Sequence, residues 1–274
     1  MSLTILIPAH NEADGIRANL GAVLSSAGLT KIEKQILVLA NGCTDATVAI
    51  SESFREQAEA DGWAFDVVEV EAQGKLNALN VGDAQAKGEI RIYLDADVVI
   101  SPGLVRAICH ALSDTTPAFA SGLPVVTATS GFTALYARFW QKLPFFTQTV
   151  PGFGVFAVNA SGRSRWQNWP DIIADDLFAR LNFAPSERVK CGEPYLWPMV
   201  EGFASLVRVR RRQDAGVREI TALFPELIAN EDKSAAPILR LAGKDPVGFL
   251  AYACVALCVR LPLFKNTDKW QRGP

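Results

Sequence analysis

The chain has 274 residues, 49% hydrophobic and 20% charged, which excludes a wholly disordered protein and allows one large domain or two small ones. Its formal net charge of −2 gives no electrostatic reason to expect nucleic acid as a partner. Five scattered cysteines predict neither a disulfide frame nor a zinc site, and two histidines cannot build a His-rich metal centre.

The opening "MSLTILIPAHNE" has no basic stretch ahead of its short apolar run, so it does not read as a secretory leader and folding in the cytoplasm is expected. "LTILIP" (3–8) predicts a buried strand. Residues 12–27 have helical spacing, with Ile16, Leu20, Val23 and Leu24 on one face. "QILVLA" (35–40) predicts a second strand, and 44–62 a helix that Gly62 closes. "FDVVEV" (65–70) is a third strand, 75–87 a helix, and "EIRIYL" (89–94) a fourth strand. This alternation predicts an α/β fold whose mostly parallel sheet has helices on both faces.

Beyond Pro102 a helix is expected to about residue 112, then a strand over "AFASGLPVV" (118–126). Residues 131–146 have helical spacing and are rich in Phe and Trp. "PGFGVFAV" (151–158) reads as a turn into a strand, and "DIIADDLFARL" (171–181) as a helix opening on acids. "LVRVRRRQDAG" (206–216) is a basic helix. Residues 247–259 carry no charge but fall short of the roughly 20 apolar residues a spanning helix needs. Two readings stand for that segment: a buried terminal helix, or one lying on a membrane or a partner.

In parallel sheets, ligands gather beyond the carboxyl ends of the strands. Four polar clusters fall there in order: "AHNE", "NGCTD", "QGK" and "DAD". Asp95 and Asp97, at positions i and i+2 of an extended chain, point to one side and suit a hard divalent cation such as Mg²⁺ or Mn²⁺. The plain structural alternative is that Asp97 only caps or turns the chain. Asn41 precedes a glycine as turn residues do, and at a strand end it can also meet a nucleobase edge. Lys75 opens a helix, where a cation meets a diphosphate; its ordinary alternative is a solvated lysine. Asp175 and Asp176 are either helix-start acids favoured by the dipole or hold a general base for an acceptor hydroxyl. The arginines 208 and 210–212 are a solvated or lipid-facing stripe, or supply a diphosphate contact. His10 and the cysteines are read as structural, and the sequon at Asn159 is set aside for want of a secretory context.

Taken in order, "IPAHNE", "VLANGCTDAT", "GKLNALNVG", "YLDADVVI" and "ADDLFARL" resemble the motifs of the inverting nucleotide-sugar glycosyltransferases of family 2, with the GT-A fold. The resemblance covers roughly the first 180 residues. It implies a Rossmann-like GT-A sheet, with a helical C-terminal region on the acceptor side. By position it makes Asp176 the catalytic base with Asp175 beside it, and Asp97 and Asp95 the metal ligands. Pro8, Ala9, Asn11, Glu12, Asn41, Lys75 and Asp95 would line the nucleotide site, and Arg212 would meet diphosphate or acceptor.

The chain departs from the family pattern in three places. Ala40-Asn41 stands where many members carry two acids, and Asn both donates and accepts where Asp only accepts. Arg180 follows the acidic motif sooner than usual. "VRRRQ" stands where processive synthases carry QxxRW, with Arg212 in the arginine place, which speaks for a non-processive enzyme.

The implied reaction is metal-assisted, inverting transfer from a nucleoside-diphosphate sugar to a hydroxyl acceptor, lipid-linked or a polysaccharide intermediate. Residues 1–115 are expected to bind the donor, 116–230 to form the acceptor side, and 231–274 to form a helical tail at the inner face of the cell membrane. The alternatives are a sugar-phosphate nucleotidyltransferase, which would want a Gly-rich basic loop after the first strand, and a non-catalytic sugar-nucleotide-binding protein, which would have lost the acids.

Overall fold

The computed structural model describes residues 1–232 and 237–261. The first stretch runs β1 (Ser2–Ala9), α1 (Ile16–Leu24), β2 (Glu33–Asn41), α2 (Thr47–Glu52), α3 (Arg55–Ala60), β3 (Trp63–Val70), α4 (Lys75–Gln85) and β4 (Ile90–Leu94). β1 pairs parallel with both β2 and β4, and β3 pairs parallel with β2. Residues 35–41 of β2 are buried without a break, because both faces of the sheet are covered. Ile16, Leu20 and Val23 of α1 join one core cluster with Ile5, Ile7 and Val38. On the opposite face α4 comes so close that a Cβ on Gly82 would lie 2.5 Å from Leu6 Cδ2 and 2.6 Å from Leu39 Cδ1. Only glycine lets the helix approach the sheet that far.

The helix expected over 44–62 is two helices. Ser53 Oγ bonds back to the Ile50 carbonyl at 2.6 Å, and the chain turns at Ser53 and Phe54 before α3 begins. A serine hydroxyl competing for helix carbonyls weakens the ladder at that point.

The chain continues through β5 (Val99–Ile100), α5 (Leu104–Ala111), β6 (Phe119–Thr127), α6 (Gly131–Trp140), α7 (Pro144–Gln148), β7 (Val155–Asn159), α8 (Ala160–Arg163), α9 (Asp175–Leu181), β8 (Arg188–Pro198), α10 (Phe203–Leu223), α11 (Ile238–Lys244) and α12 (Pro246–Arg260). β7 pairs antiparallel with β4 and with β6, and β5 with β8. The eight-stranded sheet runs β3-β2-β1-β4-β7-β6-β8-β5. The α/β class, the helices on both faces and the helical C-terminal region are as expected; the direction reverses at β7.

The chain forms two interleaved compact units. The first holds residues 1–125, 152–171 and 182–197, and contains nearly all of the sheet. The second is helical and holds 126–151, 172–181 and the described residues from Pro198 onward. In the second unit α12 packs along α6 through Phe139, whose ring lies 5.5 Å from Phe249 and 5.2 Å from Tyr252. Much of the aromatic run after residue 131 is therefore core: Tyr136, Phe139 and Trp140 are all buried. Asp245 caps α12 by accepting from Gly248 N at 3.0 Å, and it also binds Arg138 Nη2 and Lys142 Nζ, each at 2.6 Å. Arg211 of α10 donates to the Cys258 and Val259 carbonyls at the other end of α12. All five cysteines are free thiols.

Candidate functional site

The carboxyl ends of β1, β2 and β4 and the start of α4 carry the polar clusters of the first unit. Pro8 and Ala9 close β1 in register with Leu39 and Ala40. The chain then turns at Asn11, a non-glycine residue at φ 55°. Left-handed backbone is uncommon outside glycine and is tolerated by Asn when its side chain bonds locally. Here Asn11 Oδ1 accepts from the Thr44 and Asp45 backbone N–H groups at 2.7 and 3.2 Å. Glu12 N donates to Thr47 Oγ1 at 2.7 Å, and Ala13 N to Asp45 Oδ2 at 3.1 Å. The two strand-end loops thus hold each other. His10 Nδ1 donates to the Asn41 carbonyl at 2.6 Å, a clamp of the structural kind expected of it.

Asn41 ends β2 and is 3% exposed. Its Oδ1 is buried with no hydrogen-bond partner among the described residues. A buried acceptor left unmade costs about 1–3 kcal/mol, so this atom has an acceptor position open to a donor. Gly42 follows at φ +58°, where a Cβ would come 2.4 Å from Ala72 Cβ.

The turn after β4 is built by residues that sequence reasoning passed over. Asp95 N donates to the Gly154 carbonyl at 2.8 Å, and Val98 N to the Asp95 carbonyl at 3.1 Å. Asn19 of α1, fully buried, donates from Nδ2 to the Asp95 and Val98 carbonyls at 2.9 and 2.8 Å. A Cβ on Gly15 would lie 3.2 Å from Asp97 Cα, so the start of α1 rests on the acid turn. The signal was present: a polar Asn19 shares the apolar face of Ile16, Leu20 and Val23.

Lys75 Nζ donates to Asp95 Oδ1 at 2.8 Å. Burial, together with the carboxylates of Asp95 and Glu12, pushes the Asp97 carboxyl up to about 7; its own backbone N–H and Lys75 act the other way. Asp95, Asp97, Glu12 and Lys75 therefore form one electrostatic cluster, with Asn11 and Asn41 on the adjoining loops. Among the described residues no group of three or more His, Cys, Asp or Glu is arranged to hold a metal alone. Two aspartates at i and i+2 instead suit an ion that takes its other ligands from phosphate and water.

Asp175, Asp176 and Arg212 belong to the second unit. Asp175 is buried, and Asp176 Oδ1 accepts from Leu177 N at 2.8 Å at the first turn of α9. Glu219 of α10 holds Ile173 N just ahead of them at 2.7 Å. Gly216 of α10 packs on the same loop, where a Cβ would come 2.8 Å from Ala174 Cβ. Arg180, 2% exposed, binds Glu231 at 2.7 Å and Asp232 at 2.8 Å, a structural anchor. Arg212 lies half-buried on α10.

The sequence family described as Glycosyl transferase family 2 matches residues 4–164. Over 99 residues the chain is 35% identical to the poly-beta-1,6-N-acetyl-D-glucosamine synthase of Staphylococcus epidermidis, which covers 36% of this chain and 22% of that protein. The chain thus matches only about a fifth of that relative's length. Among solved structures, the mannosyltransferase PcManGT from Pyrobaculum calidifontis, in complex with GDP-Man and Mn²⁺, matches with a TM-score of 0.58 at 20% identity, over 95% of this chain and 73% of that one. Glucosyl-3-phosphoglycerate synthase from Mycobacterium tuberculosis, in complex with Mg²⁺ and UDP, matches with a TM-score of 0.54 at 18% identity, over 85% and 81%. At these identities the structural likeness is one of fold.

Proposed function

The chain belongs to glycosyl transferase family 2, and from that premise we propose that it transfers a sugar from a nucleoside-diphosphate sugar to a hydroxyl acceptor with inversion at the anomeric carbon. The observation that carries the reading is the Asp95–Asp97 turn, held by Asn19 and flanked by Glu12 and Lys75, together with the orphaned buried acceptor of Asn41 at the carboxyl end of β2.

The donor set fits a hard cation, because clustered carboxylates that resist ionising together gain from a divalent charge. Asp97, with Asp95, would hold Mg²⁺ or Mn²⁺, as the ions in the two solved transferases suggest. When bound, such an ion neutralises the charge that develops on the departing diphosphate.

The chain's own groups do the rest. Asn41 Oδ1 accepts an N–H of the nucleobase. Lys75 shares its charge between Asp95 and the diphosphate. Asp176 takes the proton from the acceptor hydroxyl as that oxygen attacks C1 from the face opposite the diphosphate. The C1–O bond to the diphosphate breaks, and the nucleoside diphosphate leaves with the bonding pair. Arg212 meets diphosphate or acceptor. The acceptor is read as a polysaccharide or lipid-linked intermediate, supported by the matched synthase of a β-1,6-linked polysaccharide. The enzyme is read as non-processive, working at the cytoplasmic face of the membrane.

The test is release of nucleoside diphosphate from a panel of UDP-, GDP- and dTDP-sugars with Mn²⁺ and a hydroxyl acceptor pool. Release that needs Asp97 and Asp176 supports the reading. Cleavage that needs neither residue, or no donor turnover across the panel, overturns it.

A further inference from the structure

α12 has one face inside the second unit and one outside it. Gly248, Ala251 and Val255 are buried, and Phe249 and Tyr252 meet α6. The positions left outward are Val247, Leu250, Cys254, Leu257 and Leu261. Val247, Leu250, Cys254 and Leu257 recur at intervals of three and four, which sets them in one row along the helix, and Leu261 follows just past its end. Val247, Leu250 and Leu257 are 54%, 65% and 61% exposed, so the row is open along most of its length. Leu239 on α11 is 87% exposed.

Single exposed leucines need no explanation, but a row of them does. Its surroundings say what covers it. Exposed cations stand at both ends: Arg240 and Lys244 on α11 just before α12, and Arg260 at its last turn. Over residues 238–261 the sequence carries Arg240, Lys244 and Arg260 against Asp245 alone. Asp245 is buried and engaged with Arg138 and Lys142. This end is therefore basic on a chain whose net charge is −2. No described helix is long and apolar enough to cross a membrane. A short helix with one apolar row and basic ends instead matches the chemistry of an anionic bilayer surface, which takes apolar side chains below the headgroups and cations at the phosphates.

We propose that α12 is a membrane-docking helix: Val247, Leu250, Cys254, Leu257 and Leu261 enter the headgroup boundary of an anionic bilayer, and Arg240, Lys244 and Arg260 meet lipid phosphates. The inference rests on the surface of the second unit and not on the transfer reading, and its test uses no donor or acceptor.

The test is flotation of the full chain with phosphatidylcholine vesicles, with and without about one-third phosphatidylglycerol, at low and high salt. Because Leu250 and Leu257 are exposed, L250E/L257E should keep the fold, which circular dichroism and an unchanged melting temperature check. The expected result is flotation with the anionic vesicles, weakened by salt, and reduced at least about tenfold in L250E/L257E and in R240E/K244E. Absence of flotation in every vesicle overturns the proposal. So does a concentration-dependent dimer in sedimentation that L250E/L257E abolishes while vesicle binding stays absent, since the row would then cover a second copy of the chain. Flotation that neither double variant changes overturns it as well.

Discussion

Asp97 lies among carboxylates, and burial, Asp95 and Glu12 all raise its proton affinity. A carboxyl raised in the folded state destabilises the fold as pH climbs from the ordinary carboxylate range through the raised value. That cost is complete above about pH 7 and absent near pH 4. Asp97→Asn should therefore raise stability in chelator by about 1–2 kcal/mol at pH 7.5, a figure discounted for partial exposure, and change little at pH 4. The same substitution should abolish Mn²⁺-dependent nucleotide binding. Melting curves in chelator and calorimetry with Mn²⁺ read the two effects; a melting temperature that falls at pH 7.5 would show that Asp97 supports the fold. Asn41 has the opposite economy. Its Oδ1 is a buried acceptor without a partner among the described residues, which on the proposed reading a nucleobase N–H would satisfy, so Asn41→Ala should weaken nucleotide binding about tenfold with little loss of stability. Unchanged affinity by titration calorimetry would remove Asn41 from the donor contacts.

At the scale of elements, what was legible followed from burial. β1, β2 and β4 are built around apolar runs, Ile5–Ile7, Ile36–Ala40 and Ile92–Leu94, because both faces of the sheet are covered, and such runs stand out. β8 stayed hidden: "RVKCGEPYLWP" mixes buried and exposed positions and contains Gly192 and Pro194, which read as a turn. The acids were legible at the end of β4, but their spacing predicted an extended pair, whereas Val98 N donating to the Asp95 carbonyl folds residues 95–98 into a turn. Asn19 stood out as a polar residue on an apolar helix face, but its partner did not, nor did that of Gly154, because those contacts cross 76 and 59 residues of chain. α12 was legible as an apolar segment, but only packing shows that half of it faces outward. Its anchor is Asp245, whose carboxyl is held well below the usual range by Arg138 first and then Lys142. A depressed carboxylate contributes stability that is present above its unfolded value and lost as pH falls through and below that value. Acidification below about pH 4 should accordingly loosen α12, and Asp245→Ala should cost about 1 kcal/mol at neutral pH, chiefly through the lost cap, because Arg138 and Lys142 reach solvent. Hydrogen exchange of residues 246–260 checks this; protection in Asp245→Ala equal to the parent chain would mean that aromatic packing on α6 alone fixes the helix.

At the scale of the whole molecule, the residues read as donor-binding and those read as acting on the acceptor fall in different compact units. Asn11, Glu12, Asn41, Lys75, Asp95 and Asp97 belong to the first, while Asp175 and Asp176 belong to the second, as does Arg212, read as meeting diphosphate or acceptor. Binding and proton transfer should then separate under mutation. A nucleoside diphosphate with Mn²⁺ at about 100 times its dissociation constant should stabilise the protein by about 2.7 kcal/mol. Asp97→Ala should erase that stabilisation. Asp176→Asn should keep it, yet lower turnover by on the order of 100-fold or more, because the amide cannot take the hydroxyl proton. Asp175→Asn serves as the neighbouring control. Its side chain is buried, so its effect should appear in the melting temperature of the free protein before it appears in turnover. Thermal shift with and without Mn²⁺, beside steady-state release of nucleoside diphosphate, reads all three variants. An Asp176→Asn protein that loses the nucleotide shift would place Asp176 in donor binding. An Asp175→Asn protein that is inactive while Asp176→Asn turns over would move the base by one residue along α9.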